Sequence, residues 1–265
     1  MEDDMLLEIA PSDQLAFKNR LTEMHFLRGR VFKDRLEWAV TLKNGQEFDE
    51  YDGEGPTYLL YIGSDGVMKG SIRLLPTTGT NMLRDTFSQL LDGKKAPQSP
   101  VIWESSRFCL DKNLNDEMGD NRLSRGCVEL FAGMIEFGIA RGLSSIVTVT
   151  DVLIERILKR AGWEVSRIGS VHPIGNSKAV ALDMPCTMEN LQRIRAKSGF
   201  YEPVLWRLPT SYQPQPHTQA ETFGEAQNIH ASLTFLRRQA EELGLNDLAH
   251  KLSTAQQSIT NTING

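Results

Sequence analysis

The sequence predicts an α/β fold, a mixed central sheet with helices on both faces, followed by a C-terminal helical extension. Three observations carry that reading. Runs rich in apolar and β-branched residues recur at 57–62, 67–75, 101–110, 145–150 and 178–184. Between the later runs, apolar residues return every three or four positions, the repeat of a helix with a buried face. Elements that alternate in this way encode a sheet covered by the helices that connect its strands. After Trp206 the character changes, with Pro209, Pro214 and Pro216 set among Ser, Gln, His and Thr.

Each element has its own signal. Over residues 11–42, Leu15, Phe17, Leu21, Met24, Leu27, Val31, Phe32 and Leu36 keep helical spacing, giving one or two helices. The runs 57–62 and 67–75 flank Gly63-Ser64-Asp65-Gly66, whose residues tolerate hairpin dihedrals, so these two strands pair. A long connection leads to a strand at 101–110. Residues 121–141 form a largely buried helix closed by Gly142. Ile146 to Thr150 are β-branched throughout, as in an interior strand. Asp151 caps the next helix, which carries Ile154, Ile157, Leu158 and Ala161 and stops at Gly162. Strands at 163–168 and 178–184 complete the core. The expected organisation is a main domain over 1–208, a linker over 209–224 and a helical hairpin tail over 225–265. The tail's helices, 226–243 and 245–259, split at Gly244 and carry Leu233, Leu236, Ala240, Leu243, Leu248 and Leu252. So short a hairpin must dock on the core or mediate self-association.

Composition excludes several classes. The 265 residues suffice for one medium-sized domain with an appendage, and the 40% hydrophobic and 24% charged content is that of a soluble globular chain. No apolar run approaches the ~20 residues of a membrane span. The start Met1-Glu2-Asp3-Asp4 is acidic where a secretory leader is basic, so a cytoplasmic location is expected. Cys109, Cys127 and Cys186 lack metal-site spacing, so neither a metal nor a disulfide framework is expected. A net charge of −5 offers nucleic acid no general attraction.

Polar residues concentrate in three blocks: Arg28-x3-Phe32-x5-Trp38, Glu47-Phe48-Asp49-Glu50-Tyr51-Asp52, and Trp103-Glu104-Ser105-Ser106-Arg107-Phe108. On a regular strand Glu104 and Ser106 share one face while Ser105 and Arg107 share the other. A carboxylate in an interior strand is costly without partners, and Arg28, Arg73 and Arg107 are candidates, with Asp49 and Asp52 in the same network. The pattern fits a catalytic centre, with a structural ion-pair network as the competing reading.

The blocks resemble those of the acyl-homoserine lactone synthases, the LuxI-type autoinducer synthases of bacterial quorum sensing. The likeness runs over residues 5–184: Leu27-Arg28 with Val31-Phe32-x5-Trp38, Asp49-x2-Asp52, Gly70-x2-Arg73-Leu74-Leu75-x-Thr77-Thr78-Gly79, Met82-Leu83-x2-Thr86-Phe87 and Trp103-Glu104-x-Ser106-Arg107-Phe108. It implies an N-acetyltransferase-like (GNAT) sheet, splayed so that acyl donor and amine acceptor meet in a cleft. It also implies two steps. The amine of S-adenosylmethionine attacks an acyl thioester held by an acyl carrier protein, and its carboxylate then displaces methylthioadenosine to close the lactone. S-adenosylmethionine is thus a substrate, and no permanently bound cofactor is expected.

Within that resemblance Glu104 is the candidate base, with Ser106 and Arg107 beside it. Arg28 is the candidate to hold the substrate carboxylate, Phe32 and Trp38 to meet adenine or sulfonium, and Asp49 and Asp52 to orient the arginines or meet the adenosine, with Arg73 also in the S-adenosylmethionine site. Core packing is the competing role for the aromatics, and a solvated acidic turn for the aspartates. The acyl pocket takes Met82, Leu83, Phe87, Trp103, Phe108, Thr148 and Thr150, the threonines near the third acyl carbon. Arg156, Lys159, Arg160, Arg167 and Lys178 form a basic cluster suited to an acidic carrier protein. Two rivals are an acetyl-coenzyme A enzyme and a non-catalytic homologue. The first lacks its pyrophosphate loop before the 121–141 helix, and intact Arg28, Trp38, Glu104 and Arg107 argue against the second.

Overall fold

The chain opens on a strand with no alternating signature, β1 (Met5–Ile9), because Leu6, Leu7, Glu8 and Ile9 are all buried. In this computed structural model the described residues are 4–36, 38, 40–111, 123–175, 177–207, 233–234, 237 and 246–264. The expected first helix is α1 (Lys18–Arg28), which widens over Gly29–Arg35 into a turn closed by the Leu36 N–H on the Val31 carbonyl at 3.0 Å. A Cβ at Gly29 would stand 2.4 Å from the Gly45 carbonyl oxygen, so the ribbon of β2 (Leu42–Lys43) and β3 (Gln46–Glu47) lies directly on helix backbone. That contact brings the acidic segment after Glu47 over the sheet.

The hairpin forms as expected from β4 (Thr57–Ile62) and β5 (Met68–Pro76), with Gly66 at φ +78° in its turn. One helical turn, α2 (Met82–Asp85), precedes β6 (Ile102–Leu110). The next helix is α3 (Arg125–Ala140), capped by Ser124, and residues 121–122 of the expected stretch lie outside the described residues. Strand β7 (Ser145–Asp151) leads into α4 (Val152–Ala161), where Asp151 accepts the Leu153 N–H at 2.7 Å and Gly162, at φ +106°, ends the helix.

The strand expected at 163–168 shrinks to β8 (Ser166–Arg167), because fully buried Trp163 belongs to the core and donates its indole N–H to the Pro185 carbonyl. There follow β9 (His172–Ile174), β10 (Ser177–Pro185), α5 (Met188–Ser198) and β11 (Leu205–Trp206). The second tail helix is α6 (Asn246–Asn264). The expected linker over 209–224 lies outside the described residues, as does the first tail helix save positions 233–234 and 237.

Nine strands among the described residues form one sheet in the order β11-β1-β4-β5-β6-β7-β10-β8, with β9 on β10. Neighbours run antiparallel except for β11 on β1 and β6 on β7. Helix α1 packs against Leu60 and Tyr58 on one face, while α3, α4 and α5 cover Leu59, Leu74, Ile146 and Leu182 on the other. The β6–β7 register stops at Ser105 opposite Thr148. Beyond it, β6 pairs only with β5 and β7 only with β10, so the sheet parts there. The edge is pinned by buried ion pairs. Glu8 engages Arg141 and Arg207, and Glu136 accepts the Val204 and Leu205 N–H groups. No helix among the described residues is long and apolar enough to cross a membrane.

Candidate active site

Three arginines and three carboxylates meet on the α1 side of the sheet. Arg28, at the end of α1, donates Nε–H to Glu47 at 2.6 Å and grips Asp52 with both terminal nitrogens at 2.7 and 2.9 Å. Arg73, on β5, pairs bidentately with Asp49 and reaches Asp52 at 2.9 Å. Arg107, on β6, bonds Glu47 at 3.0 Å and Asp49 at 2.6 Å. The acidic side chains hold place because Asp49 and Asp52 cap one short turn reciprocally, and Tyr58 donates its hydroxyl to Asp52 at 2.8 Å. Burial pushes the Asp52 carboxyl upward, but hydrogen bonds and charge from Arg28, with Arg73 behind, hold it well below its usual range. Burial, with the adjoining Asp52 charge, pushes the Tyr58 hydroxyl far up, so it stays a donor.

Strict alternation along β6 does not hold. Ser71 faces Cys109 and Arg73 faces Ser106, so two residues of β6, Arg107 and Phe108, oppose the single Ile72. This bulge places Arg107 at φ +53° and turns its guanidinium to the same face as Ser106. Alternation from sequence had put it opposite. Ser106 accepts the Arg73 Nε–H at 3.0 Å, so β5 and β6 present one polar surface.

Glu104 also finds partners other than those expected. Its side chain is 1% exposed and takes the Met82 N–H at 2.9 Å and the Leu83 N–H at 2.6 Å, both from the first turn of α2. None of the arginines forms an ion pair with it among the described residues. Burial therefore dominates and pushes the Glu104 carboxyl upward, with the two N–H groups and the more distant Arg73 opposing. Two bonds occupy half of a carboxylate's four acceptor positions, which leaves lone pairs for a proton.

The aromatic residues divide. Phe32 is buried, with Trp38 stacked at 5.1 Å and the Arg107 guanidinium over its ring at 5.5 Å. Trp38 is 43% exposed and keeps an open face. Among the arginines, Arg28 and Arg73 have 0% of the side chain exposed and Arg107 has 11%. The fork of Arg28 is filled by Asp52, and Arg107 is the guanidinium that borders the cleft.

The expected acyl-pocket residues fall on two faces of the sheet. Leu83 and Phe87 pack with Val147 on the α1 side, and the Met82 thioether accepts from Arg73 at 3.3 Å. Trp103 and Phe108 pack against Phe137 and Phe131 on the α3 side, where the parting strands leave Thr148 and Thr150. The Thr148 hydroxyl donates to the Ser105 carbonyl at 2.9 Å, whereas the Thr150 hydroxyl has no such bond among the described residues. In the basic cluster Lys159 and Arg167 both clasp Glu155, and Arg156, Arg160 and Lys178 are exposed. Beside them a surface hollow of about 320 Å³ is lined by Lys159, Trp163, Arg193 and Lys197.

Two participants were missed as individuals by sequence reasoning. Glu47, fully buried, bridges Arg28 and Arg107. Tyr51 bonds Thr86 at 2.5 Å beneath the Arg73 guanidinium. A signal existed for Glu47, since it opens the acidic block, but like charges in a row also describe a solvated turn.

Residues 12–194 match the family model described as autoinducer synthase. The acyl-homoserine-lactone synthase of Agrobacterium fabrum is 42% identical over 197 residues, 74% of this chain and 92% of that protein. The one from Pseudomonas aeruginosa is 38% identical over 67% of this chain and 88% of that protein. Among solved structures, the AHL synthase LasI superposes with a TM-score of 0.67 at 34% identity, over 74% of this chain and 96% of that one. BjaI, a CoA-dependent acyl-homoserine lactone synthase solved with SAM and isopentyl-CoA, reaches 0.69 at 22% identity over 84% and 99%, a likeness of fold. A mixed sheet parting beside a buried carboxylate, three arginines locked to three acids, and matches over most of its length agree: the chain belongs to the autoinducer synthase family, whose acyl-homoserine-lactone synthases are acyltransferases.

Proposed function

We propose that the chain joins an acyl group from an acyl carrier protein to the amine of S-adenosylmethionine and closes the homoserine lactone as a quorum-sensing signal. The observation that carries the reading is Glu104, buried yet charge-unpaired beside the arginine cluster, on the face that also holds Ser106 and Arg107. A carboxyl pushed upward by burial is a stronger base than an ordinary carboxylate. It accepts a proton from the substrate amine, directly or through one water. The amine nitrogen attacks the thioester carbonyl, the C–S bond breaks, and the departing thiolate takes the second proton of that nitrogen, so the carrier leaves as free thiol. The substrate carboxylate then attacks the carbon bearing the sulfonium, and the electron pair of that second C–S bond leaves with sulfur as neutral methylthioadenosine.

Arg107, the least buried of the three guanidinium groups, meets the substrate carboxylate, while Arg28 and Arg73 fix Asp52, Asp49 and Glu47 behind it. Trp38 offers its open face to adenine or sulfonium, with Phe32 as its support. Thr150 supplies a hydroxyl for a 3-oxo or 3-hydroxy acyl group, whose unpaired burial would cost about 1–3 kcal/mol. Arg156, Lys159, Arg160 and Lys178 receive the acidic carrier protein. Catalysis belongs to residues 1–208, and the tail serves self-association. Expression in a bacterium that makes no such signal, with mass spectrometry of the lipophilic products, tests the reading. An N-acyl homoserine lactone with a third-carbon oxygen supports it, and absence of any lactone from a folded, abundant protein removes it.

A further inference from the structure

The two N–H groups that hold Glu104 belong to α2, a single turn of four residues that has no stability of its own. Its conformation must come from outside. Asn81, 1% exposed, precedes it in extended conformation and uses every polar atom it has. Its Oδ1 accepts the Arg84 N–H at 3.1 Å, and its amide donates to the Gly79 carbonyl at 3.1 Å and the Thr77 carbonyl at 3.4 Å. Its backbone N–H donates to Asp85 at 3.0 Å, and its carbonyl accepts the Asp85 N–H at 3.0 Å. Thr77 is anchored in turn, donating its hydroxyl to the Ile102 carbonyl at 2.7 Å and its N–H at 3.1 Å. A closed circuit results, from Ile102 through Thr77, Asn81 and α2 back to Glu104, two residues along the same strand.

We propose that Asn81 is a positioning residue for Glu104, fixing α2 so that the Met82 and Leu83 N–H groups stay aimed at the carboxylate. The position is one that the family blocks leave open. The inference rests on Glu104 being the acylation base, and the titratable and charged groups coupled to Glu104 are Arg73 on β5, Arg84 and Asp85 on α2, and Tyr51. Weaker N–H bonds favour the carboxylate less, so losing Asn81 should raise the pH at which the base becomes available.

The test uses the full chain with S-adenosylmethionine and a 3-oxoacyl carrier protein. Asn81→Ala should lower kcat ~10–100-fold, leave KM for S-adenosylmethionine within about twofold, and move the acidic limb of the pH profile up by ~0.5–1. If Asn81→Ala does not fold, Asn81→Ser keeps a capping acceptor but loses both amide donors, and is read for the same limb shift. In a Glu104→Gln background, Asn81→Ala should cost little more, because its effect passes through Glu104. An unmoved acidic limb, or a full further loss in that background, overturns the proposal. Wild-type acylation by Glu104→Gln alone would instead remove Glu104 as base, a separate failure.

Discussion

Replacing Glu104 with glutamine keeps shape and size but removes the charge and one acceptor. In the wild type the carboxylate takes one N–H on each oxygen, at 2.6 and 2.9 Å. Glutamine turns an NH2 toward one of those donors, and a lost hydrogen bond to a charged group costs about 1.5–3 kcal/mol. Removing a buried charge works the other way. Burial raises the Glu104 carboxyl, so its ionised form is disfavoured in the folded chain. The terms offset in part, and the unfolding free energy should drop by no more than ~1–2 kcal/mol, within the ~5–15 kcal/mol of a typical domain. The pH dependence has a definite sign. A raised carboxyl makes the wild type lose stability as pH climbs from the ordinary carboxylate range toward the folded value, and glutamine removes that loss. The stability gap should therefore narrow as pH rises. Acylation should meanwhile fall ~10²–10⁴-fold, the range for a missing general base. Single-turnover release of carrier thiol measures acylation, and urea unfolding at several pH values measures stability. Full acylation by a folded variant, or collapse of the fold without specific catalytic loss, refutes the reasoning.

Other perturbations separate roles within the same site. Asp52→Asn breaks a buried network at its most connected member and should cost about 3–5 kcal/mol of stability. Because the Asp52 carboxyl is depressed, its contribution is complete above its unfolded value and disappears as pH falls through the folded one, so the variant should lack part of the wild type's acid loss in denaturant titrations. Equal pH slopes would contradict this. Thr150→Val should shift competition between 3-oxo and plain donors of equal length toward the plain one by ~5–100-fold, with rate otherwise kept. Thr148→Val loses the bond to Ser105 and should cost about 1 kcal/mol of stability with little change in selectivity. The reverse assignment would move the acyl oxygen to Thr148.

The elements legible in the sequence are those where one local rule acts alone. Asp151 and Gly162 bracket α4 because a cap and a left-handed residue are local requirements, and Gly66 permits the β4–β5 turn. Strand β1 escaped notice because burial on both faces erases alternation in Leu6 to Ile9. Strand β11 is two residues long, paired to β1 and entered where Glu136, nearly seventy residues earlier, accepts the Val204 and Leu205 N–H groups. The candidate site was legible as composition: Arg28, Asp49, Asp52, Arg73, Glu104 and Arg107 were all named from their types and intervals. Their pairing was not. One extra residue in β6 reverses Arg107, and the partner of Glu104 is backbone, which no side-chain pattern reports. The seven acyl-pocket candidates likewise divide between two faces because strand separation at Ser105 and Thr148 is a property of register.

The central claim is that one site both acylates an amine and closes a lactone. Purified protein supplied with S-adenosylmethionine and an acyl carrier protein thioester should yield N-acyl homoserine lactone and methylthioadenosine in equal amounts, with one free carrier thiol for each, as read by mass spectrometry and thiol titration. Folded protein that forms no lactone from any chain length, on carrier protein or coenzyme A, would contradict the account. Thiol release with an acylated but uncyclised product would contradict its second step alone.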